Sequence, residues 1–448
     1  MCNGPLFSKI VLFSIPLILT GILQLLYNAV NIVVVGRFVG SSALAAVGST
    51  TSLINLIVNL FIGLSIGASV VMAKHYGAGE LKDANETVHT AVAISTVSGI
   101  ILTIFGVLMA RPLLQAMSTP ADVLDHAVLY MQIYFIGMPA SMIFNFSSAI
   151  LRAIGDTRRP LYFLSISGIV NVVLNLLFVI VFHMDIAGVA TATVISQYIS
   201  LVLILLSLIH SDGCVQLRWR KIRFYRDKVF SIIKIGLPAG MQGIIFAISN
   251  VLIQSSVNSF GSTVMAGNTA AMNIEGFVYI SMNALYQAAL NFTGQNVGAK
   301  KYERIGRILG VCLVSVTFVG IAMGGLSYLF APILLGIYTV DPAVIATGIL
   351  RLGYISVPYF ICGIMDVMVG SLRGMGYSIM PMLASIAGVC GIRITWVYTV
   401  FAMNHTLETL YFSYPISWAI TAIVHLACYF VVRRKLSTNV ADQVESIC

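Results

Sequence analysis

Apolar runs of 20 to 30 residues recur along nearly the whole chain, separated only by short clusters of proline, glycine and charge. A helix of about 20 residues spans the hydrocarbon layer of a bilayer, where every backbone N–H and C=O must be paired within the protein. The pattern therefore confines the chain to a bundle of membrane-crossing helices. Composition agrees: of 448 residues, 58% are hydrophobic and 9% charged, whereas soluble proteins carry roughly 25% charged residues. Too little polar chain is left for a separate soluble catalytic domain. The first run, near 10–35, is too long and lacks the charged leader of a cleavable signal, so it is expected to stay in the bilayer. Seven cysteines without CxxC or Cys/His pairing speak against a disulfide framework or a zinc site.

Turn, proline and charge clusters divide the runs into twelve expected helices, near 10–36, 46–72, 88–110, 123–150, 161–182, 187–209, 229–257, 266–292, 306–330, 343–371, 381–401 and 410–432. With the N-terminus cytoplasmic, 21 of the 25 Lys and Arg fall in or beside inner segments, leaving only Arg37, Arg111, Arg351 and Arg393 elsewhere. The positive-inside rule then puts both termini on the cytoplasmic side of the inner (plasma) membrane. The net charge of +9 is concentrated in loops such as "RWRKIRFYRDK" (218–228), which topology explains without nucleic acid.

The prolines reveal a duplication. Pro16, Pro112, Pro120, Pro139 and Pro160 match Pro238, Pro332, Pro342, Pro358 and Pro381 at offsets of 219 to 222, and "LRAIGDTRRP" (151–160) echoes "LRGMGYSIMP" (372–381). Six helices per half is an even number, so both halves start on the same side and form a parallel repeat. The expected fold is an all-α polytopic membrane protein of two pseudo-symmetric six-helix bundles. Its expected parts are an N-lobe over 1–209, a cytoplasmic linker over 210–228, a C-lobe over 229–432 and a cytoplasmic tail over 433–448. "GLSIG" (63–67) has the GxxxG spacing of close helix packing.

Polar residues inside these runs are costly and therefore candidates for function. Ionisable ones cost from about 3 kcal/mol upward in hydrocarbon. They concentrate in the second half: Glu275, Asp366, Arg393 and His425. Glu275 begins a stripe with Tyr279, Asn283 and Gln287, and a shielded carboxylate there could carry H⁺ or ligate Na⁺. Asp366 is a second such candidate. Either could instead be braced, Glu275 by Arg393 and Asp366 by Arg393 or Arg373. The first half offers amides: Gln24, Asn28 and Asn31 at spacings of four and three, with Asn171 and Asn175 one turn apart. These amides and Arg393 are candidate cavity residues, although interhelical hydrogen bonding is the plainer role of an intramembrane amide.

The motifs "NIVVVGRFVGSSALAAVG" (31–48), "GASVVMAKHYGAGE" (67–80) and "LRAIGDTRRP", with the later echoes "GQNVGAKKYERIGR" (294–307) and "LRGMG", resemble the multidrug and toxic compound extrusion (MATE) family over essentially the whole length. The resemblance implies a V-shaped pair of six-helix bundles working by alternating access. It implies export of small organic, often cationic and amphipathic compounds in exchange for H⁺ or Na⁺; a monomer without a cofactor is expected, and a membrane enzyme is not expected because the chain has no HExxH, no GxGD and no buried nucleophile beside a histidine. Many members carry an acid in the first helix near the turn where this chain has Asn31. A lipid or lipid-linked oligosaccharide flippase of related fold is the competing expectation, and Arg393, Arg37 or Arg351 would then have to grip a pyrophosphate headgroup.

Overall fold

The computed structural model describes residues 1–117 and 119–445, and all the regular secondary structure among them is helical. In chain order the helices are α1 (Leu6–Val34), α2 (Ser41–Ala78), α3 (Leu81–Ala116), α4 (Ala121–Ile136), α5 (Met138–Ile154), α6 (Arg158–Leu176), α7 (Asp185–Ile209) and α8 (Arg226–Asn258). They continue with α9 (Ser262–Gly298), α10 (Tyr302–Leu329), α11 (Ala331–Gly336), α12 (Pro342–Ile355), α13 (Tyr359–Gly374), α14 (Ile379–Ser385), α15 (Ile392–Trp396) and α16 (Leu407–Glu445). Wider π-helical turns follow α1 (Val35–Val39), α6 (Leu177–Val181), α14 (Ile386–Gly391) and α15 (Val397–Phe401).

Nine spans and two bent pairs are long and apolar enough to cross a membrane among the described residues. The remaining run expected to cross, 266–292, lies within α9, a 37-residue helix that carries Glu275 and the polar stripe. The bent pairs are α4 with α5, at 48°, and α12 with α13, at 46°. Both bends fall beside a repeat-matched proline, Pro139 or Pro358, which cannot donate to the preceding turn. The expected tail is helical as far as Glu445, and residues 446–448 lie outside the described residues.

The backbone carries the duplication more sharply than the residue identities do. Left-handed φ angles recur at Gly40 and Gly261, at Gly79 and Lys300, and at Gly155 and Gly376. Each pair is 221 residues apart. Two of the pairs are glycine in both copies, because only glycine enters that region without steric cost. At the third, Lys300 takes the conformation of Gly79 with a side chain attached.

By packing, the chain forms two compact units, one of residues 19–240 and one of residues 1–18 with 241 onward. The divide runs through α1 and α8, two residues beyond Pro16 and Pro238, whereas the sequence division follows the covalent repeat at the linker. In the first unit a core of Phe135, Met131, Met138, Met142, Leu102 and Leu114 joins α3, α4 and α5. In the second, Phe13 of α1 meets Phe292 edge-on at 5.6 Å, within a core that also holds Met282, Leu372 and Val432.

The GxxxG spacing reports packing inside the first unit. Gly63 and Gly67 of α2 face Gly236 and Gly240 of α8, so closely that a Cβ on Gly67 would sit 2.2 Å from the Ile232 carbonyl oxygen and one on Gly240 would sit 2.4 Å from that of Leu60. Two backbones can approach this way only where both present glycine. Gly67→Ala and Gly240→Ala should each destabilise the protein by about 1–3 kcal/mol, the usual cost of overpacking, and lower the melting temperature in detergent. Gly310→Ala, where a Cβ meets nothing within 4 Å, should leave it unchanged or slightly raised.

Candidate functional site

In the first unit the helix α1 amides converge with α6 and α7. Asn175 Nδ2 donates to Asn31 Oδ1 at 2.5 Å and to Asn171 Oδ1 at 3.1 Å, while Asn171 Nδ2 reaches the Thr193 and Ser196 hydroxyls at 3.5 and 3.4 Å. In front of this ladder lies a cavity of about 300 Å³. Its wall contains Gln24, Asn28, Asn31, Asn145, Asn171 and Gln197, the hydroxyls of Ser141, Ser167, Thr193, Ser196 and Ser200, and the rings of Tyr27, Tyr130 and Tyr134. None of its lining side chains is a carboxylate, an amine or a guanidinium. Gly168 makes room for Tyr27, whose ring would overlap a Cβ there, and the Tyr27 hydroxyl donates to the Leu164 carbonyl at 3.3 Å. Four of the five amides singled out in the sequence thus line one space. Asn175 lies behind it, holding Asn31 and Asn171.

The charges of the second unit form a different kind of structure. Arg351 of α12 clamps Glu275 of α9 with two parallel bonds, Nε to Oε1 at 2.9 Å and Nη2 to Oε2 at 2.8 Å, and both residues are buried. Its remaining nitrogen, Nη1, donates to Asn268 Oδ1 at 2.6 Å, an atom that also accepts from the Tyr411 hydroxyl at 3.2 Å. Asn268 Nδ2 in turn donates to Gln254 Oε1 at 2.9 Å. A buried carboxylate held by the planar fork of an arginine has both oxygens occupied and a fixed orientation. The brace on Glu275 is therefore Arg351, one turn before the α12 bend, and not Arg393. With its charge committed to Glu275, Arg351 is also withdrawn from gripping a pyrophosphate.

Arg393 has no carboxylate partner among the described residues. It is buried, its Nε donates to Ser417 Oγ at 3.0 Å, and its guanidinium lies 4.1 Å from the centre of the Tyr414 ring and 5.5 Å from that of Trp418. A cation over aromatic faces is stabilised without a counter-charge. Arg373 donates to the Tyr286 hydroxyl at 2.9 Å and to Gln242 Oε1 at 2.8 Å. Neither arginine braces Asp366. This half-buried carboxylate makes no hydrogen bond or ion pair among the described residues, and Arg373 acts on it only through space.

Around Asp366 runs a chain of rings. Tyr279 stacks on Tyr359 at 6.4 Å, Tyr359 on Trp418 at 5.3 Å, and Trp418 meets Tyr414 edge-on at 5.7 Å, which brings the series to Arg393. Asn283 and Gln287 follow Tyr279 at successive turns of α9, continuing the expected stripe. His425 is buried elsewhere, against Ser385 Oγ at 3.2 Å and the Pro381 carbonyl at 3.3 Å, away from the carboxylates. Arg351 is the participant that sequence reasoning placed among the outer or buried cations, with a role only under the flippase reading and none beside Glu275. Its signal was its position in an apolar run, the same criterion that picked out Glu275.

The MatE family model matches the chain twice, over residues 16–177 and 238–399. Among curated proteins it is similar to "Probable multidrug resistance protein YoeA" of Bacillus subtilis, 25% identical over 443 residues that cover 96% of this chain and 94% of the relative. It is also similar to "Multidrug export protein MepA" of Staphylococcus aureus, 21% identical over 463 residues that cover 99% and 98%. Two solved structures superpose with a TM-score of 0.90 at 22% identity. One is a MATE protein in its bent conformation, with 98% of each chain covered, and the other is a MOP superfamily transporter from Pyrococcus furiosus whose binding pocket has reverse polarity, with 97% of each covered.

The two carboxylates should respond differently to neutralisation. Glu275→Gln or Arg351→Leu strands a buried partner and should cost about 3–5 kcal/mol, and Glu275→Leu combined with Arg351→Leu should recover much of it. Asp366→Asn breaks no contact and should change thermal stability by less than about 1 kcal/mol. Melting curves of the four variants in one detergent measure this; equal losses at Glu275 and Asp366 would contradict the assignment of partners.

Proposed function

Because the chain belongs to the MatE family, whose members are multidrug efflux transporters and not enzymes, we propose that it is a secondary active antiporter. It exports organic, cationic amphipathic compounds across the plasma membrane in exchange for H⁺ or Na⁺, by alternating access. The observation that carries this is Asp366, an intramembrane carboxylate without a hydrogen-bond or ion-pair partner, in a unit whose other intramembrane carboxylate is fully engaged. An unpartnered carboxylate at membrane depth is strongly favoured to bind a cation whenever one can reach it. The Glu275–Arg351 pair acts as the second member of the coupling site, holding the α9 stripe with Tyr279 in register beside Asp366.

The uncharged cavity of the first unit suits the substrate. Amide and phenolic oxygens and three tyrosine rings attract a delocalised cation or hydrogen-bond a polar substituent without demanding one charge or one geometry. Affinity is then spread over several weak contacts, so the coupling step need not break a strong ion pair to release the drug. One cation falling through about 100 mV supplies roughly 2.3 kcal/mol, and each tenfold substrate gradient costs about 1.4 kcal/mol. A single coupling ion exchanged for an uncharged substrate therefore sustains a gradient of more than one order of magnitude, whereas one-for-one exchange with a monovalent cation moves no net charge and is driven by the chemical gradient of the coupling ion alone.

Proteoliposomes loaded with a fluorescent organic cation, with pH and Na⁺ gradients imposed separately, test this. Asp366→Asn should abolish gradient-driven movement while keeping substrate binding within a fewfold of wild type. Gradient-driven transport that survives in Asp366→Asn rejects it as the coupling group. Asn31→Asp should raise the affinity for the cation about tenfold at neutral pH, the worth of one close opposite charge in a partly hydrated site, and make binding weaken as the pH falls. No gain on adding that charge would show that the cation does not occupy the cavity beside Asn31.

A further inference from the structure

The segment joining the two repeats is built into the first unit as a platform. Asn85 of α3 donates through Nδ2 to the carbonyls of Cys214 and Gln216 at 3.0 and 2.9 Å. His89, one turn on and fully buried, donates from Nδ1 to the Asn85 carbonyl at 2.7 Å and accepts at Nε2 from the Arg218 backbone at 3.1 Å. Both ring nitrogens are used, which assigns a neutral imidazole with one defined tautomer. Tyr225 N–H donates to Thr90 Oγ1 at 3.4 Å. Two short 3₁₀ turns, Gly213–Val215 and Trp219–Lys221, complete the fold of the segment.

Against this platform lies a cavity of about 410 Å³ at the start of α3 and α8, both membrane-crossing by length and composition. Its charged lining is Lys82, Arg220, Lys221 and Arg223 against the single acid Glu86. The nearby Asp83 and Asp227 share Lys228, and their carboxylates lie within 4.8 Å of that of Glu86, so the neighbourhood as a whole holds five cations against three acids and keeps a net charge of +2. Arg223 is folded over the Tyr225 ring, with its guanidinium carbon 4.4 Å from the centroid, so one cation is held in place before any ligand arrives. Beside the cavity stand exposed rings: Trp219 is 61%, Phe224 55% and Phe230 69% accessible.

We infer that this cavity binds the phosphate headgroup of an anionic phospholipid from the leaflet on the linker side, with Trp219, Phe224 and Phe230 seated at the boundary between headgroups and acyl chains. Arginine and lysine converge on a phosphate through charge-assisted hydrogen bonds. A soluble phosphate would use the cations but has no use for three exposed rings at the ends of two spans, where tryptophan and other aromatics anchor in the interface. Basic pockets at this depth recognise anionic headgroups, each cation contributing on the order of a fivefold gain in binding.

The test titrates the full-length protein in detergent with dihexanoyl phosphatidylglycerol, dihexanoyl phosphatidylcholine or inorganic phosphate and counts bound molecules by native mass spectrometry. Phosphatidylglycerol should saturate a site, and the other two should bind at least about tenfold more weakly. Arg220→Gln, Lys221→Gln and Arg223→Gln combined should weaken phosphatidylglycerol by about a hundredfold. Neutralising three exposed cations elsewhere, Arg158→Gln, Lys300→Gln and Arg307→Gln, should change it by no more than about twofold. Equal loss in the two triple variants would overturn the site in favour of diffuse basic charge. Phosphatidylcholine binding as tightly would overturn headgroup recognition, and inorganic phosphate binding as tightly would reassign the cavity to a soluble anion. Should the first triple variant fail to fold, Lys82→Gln with Lys221→Gln decides the matter, with at least a tenfold loss expected and unchanged binding overturning the proposal.

Discussion

Hydrocarbon solvates neither a peptide group nor a charge, and each feature of this protein answers that constraint. Backbone groups are paired within helices. At the bend beside Pro139 the Phe135 carbonyl accepts from Thr103 Oγ1 at 2.7 Å and the Ile136 carbonyl from the Tyr198 hydroxyl at 3.1 Å. The same constraint sorts the side chains. Glu275 and Arg351 enter the bilayer only as a two-pronged pair with a third anchor on Asn268. Arg393 enters over Tyr414 and Trp418, and Arg373 enters with Tyr286 and Gln242. Against this background Asp366 is the exception, and an unmet electrostatic demand in a medium that punishes it is where an ion-driven device would be expected to act.

The two repeats share a backbone and have divided the chemistry. The left-handed positions match at one constant separation and the bent pairs match within 2°. The first copy nevertheless lines its cavity with amides and hydroxyls, while the second gathers the carboxylates and guanidiniums. A duplicated frame keeps its helix contacts because those depend on glycine and proline at fixed positions. Its polar interior is free to change, since a neutral amide replaces a carboxylate with nearly the same shape. Asn31 presents a neutral acceptor at the end of α1, and Asn175 donates to it.

Much of the scaffold was legible in the residues. Helix number, the duplication and the close approach at Gly63 and Gly67 all follow from local rules of length, proline and glycine. The identity of partners was not. Glu275 and Arg351 are 76 residues apart, and nothing in either neighbourhood distinguishes Arg351 from Arg393 as the brace. The amide ladder was half legible: the spacing of Gln24, Asn28 and Asn31 marks a face, but the placement of Asn175 behind the cavity depends on how α6 is rotated. The linker was read as topogenic charge, and its ordered platform rests on Asn85 and His89, each 129 residues or more from the backbone it holds.

The division of α1 and α8 between the units bears on how the protein can be made. Residues 1–18 pack with chain that begins at residue 241, more than two hundred positions later in synthesis. Residues 1–18 therefore gain their packing partners only after residues 19–240, the whole of the other unit, have been translated. Cutting the gene at its evident duplication point would not yield two self-sufficient pieces. Each fragment would leave part of its first helix separated from the residues it packs against.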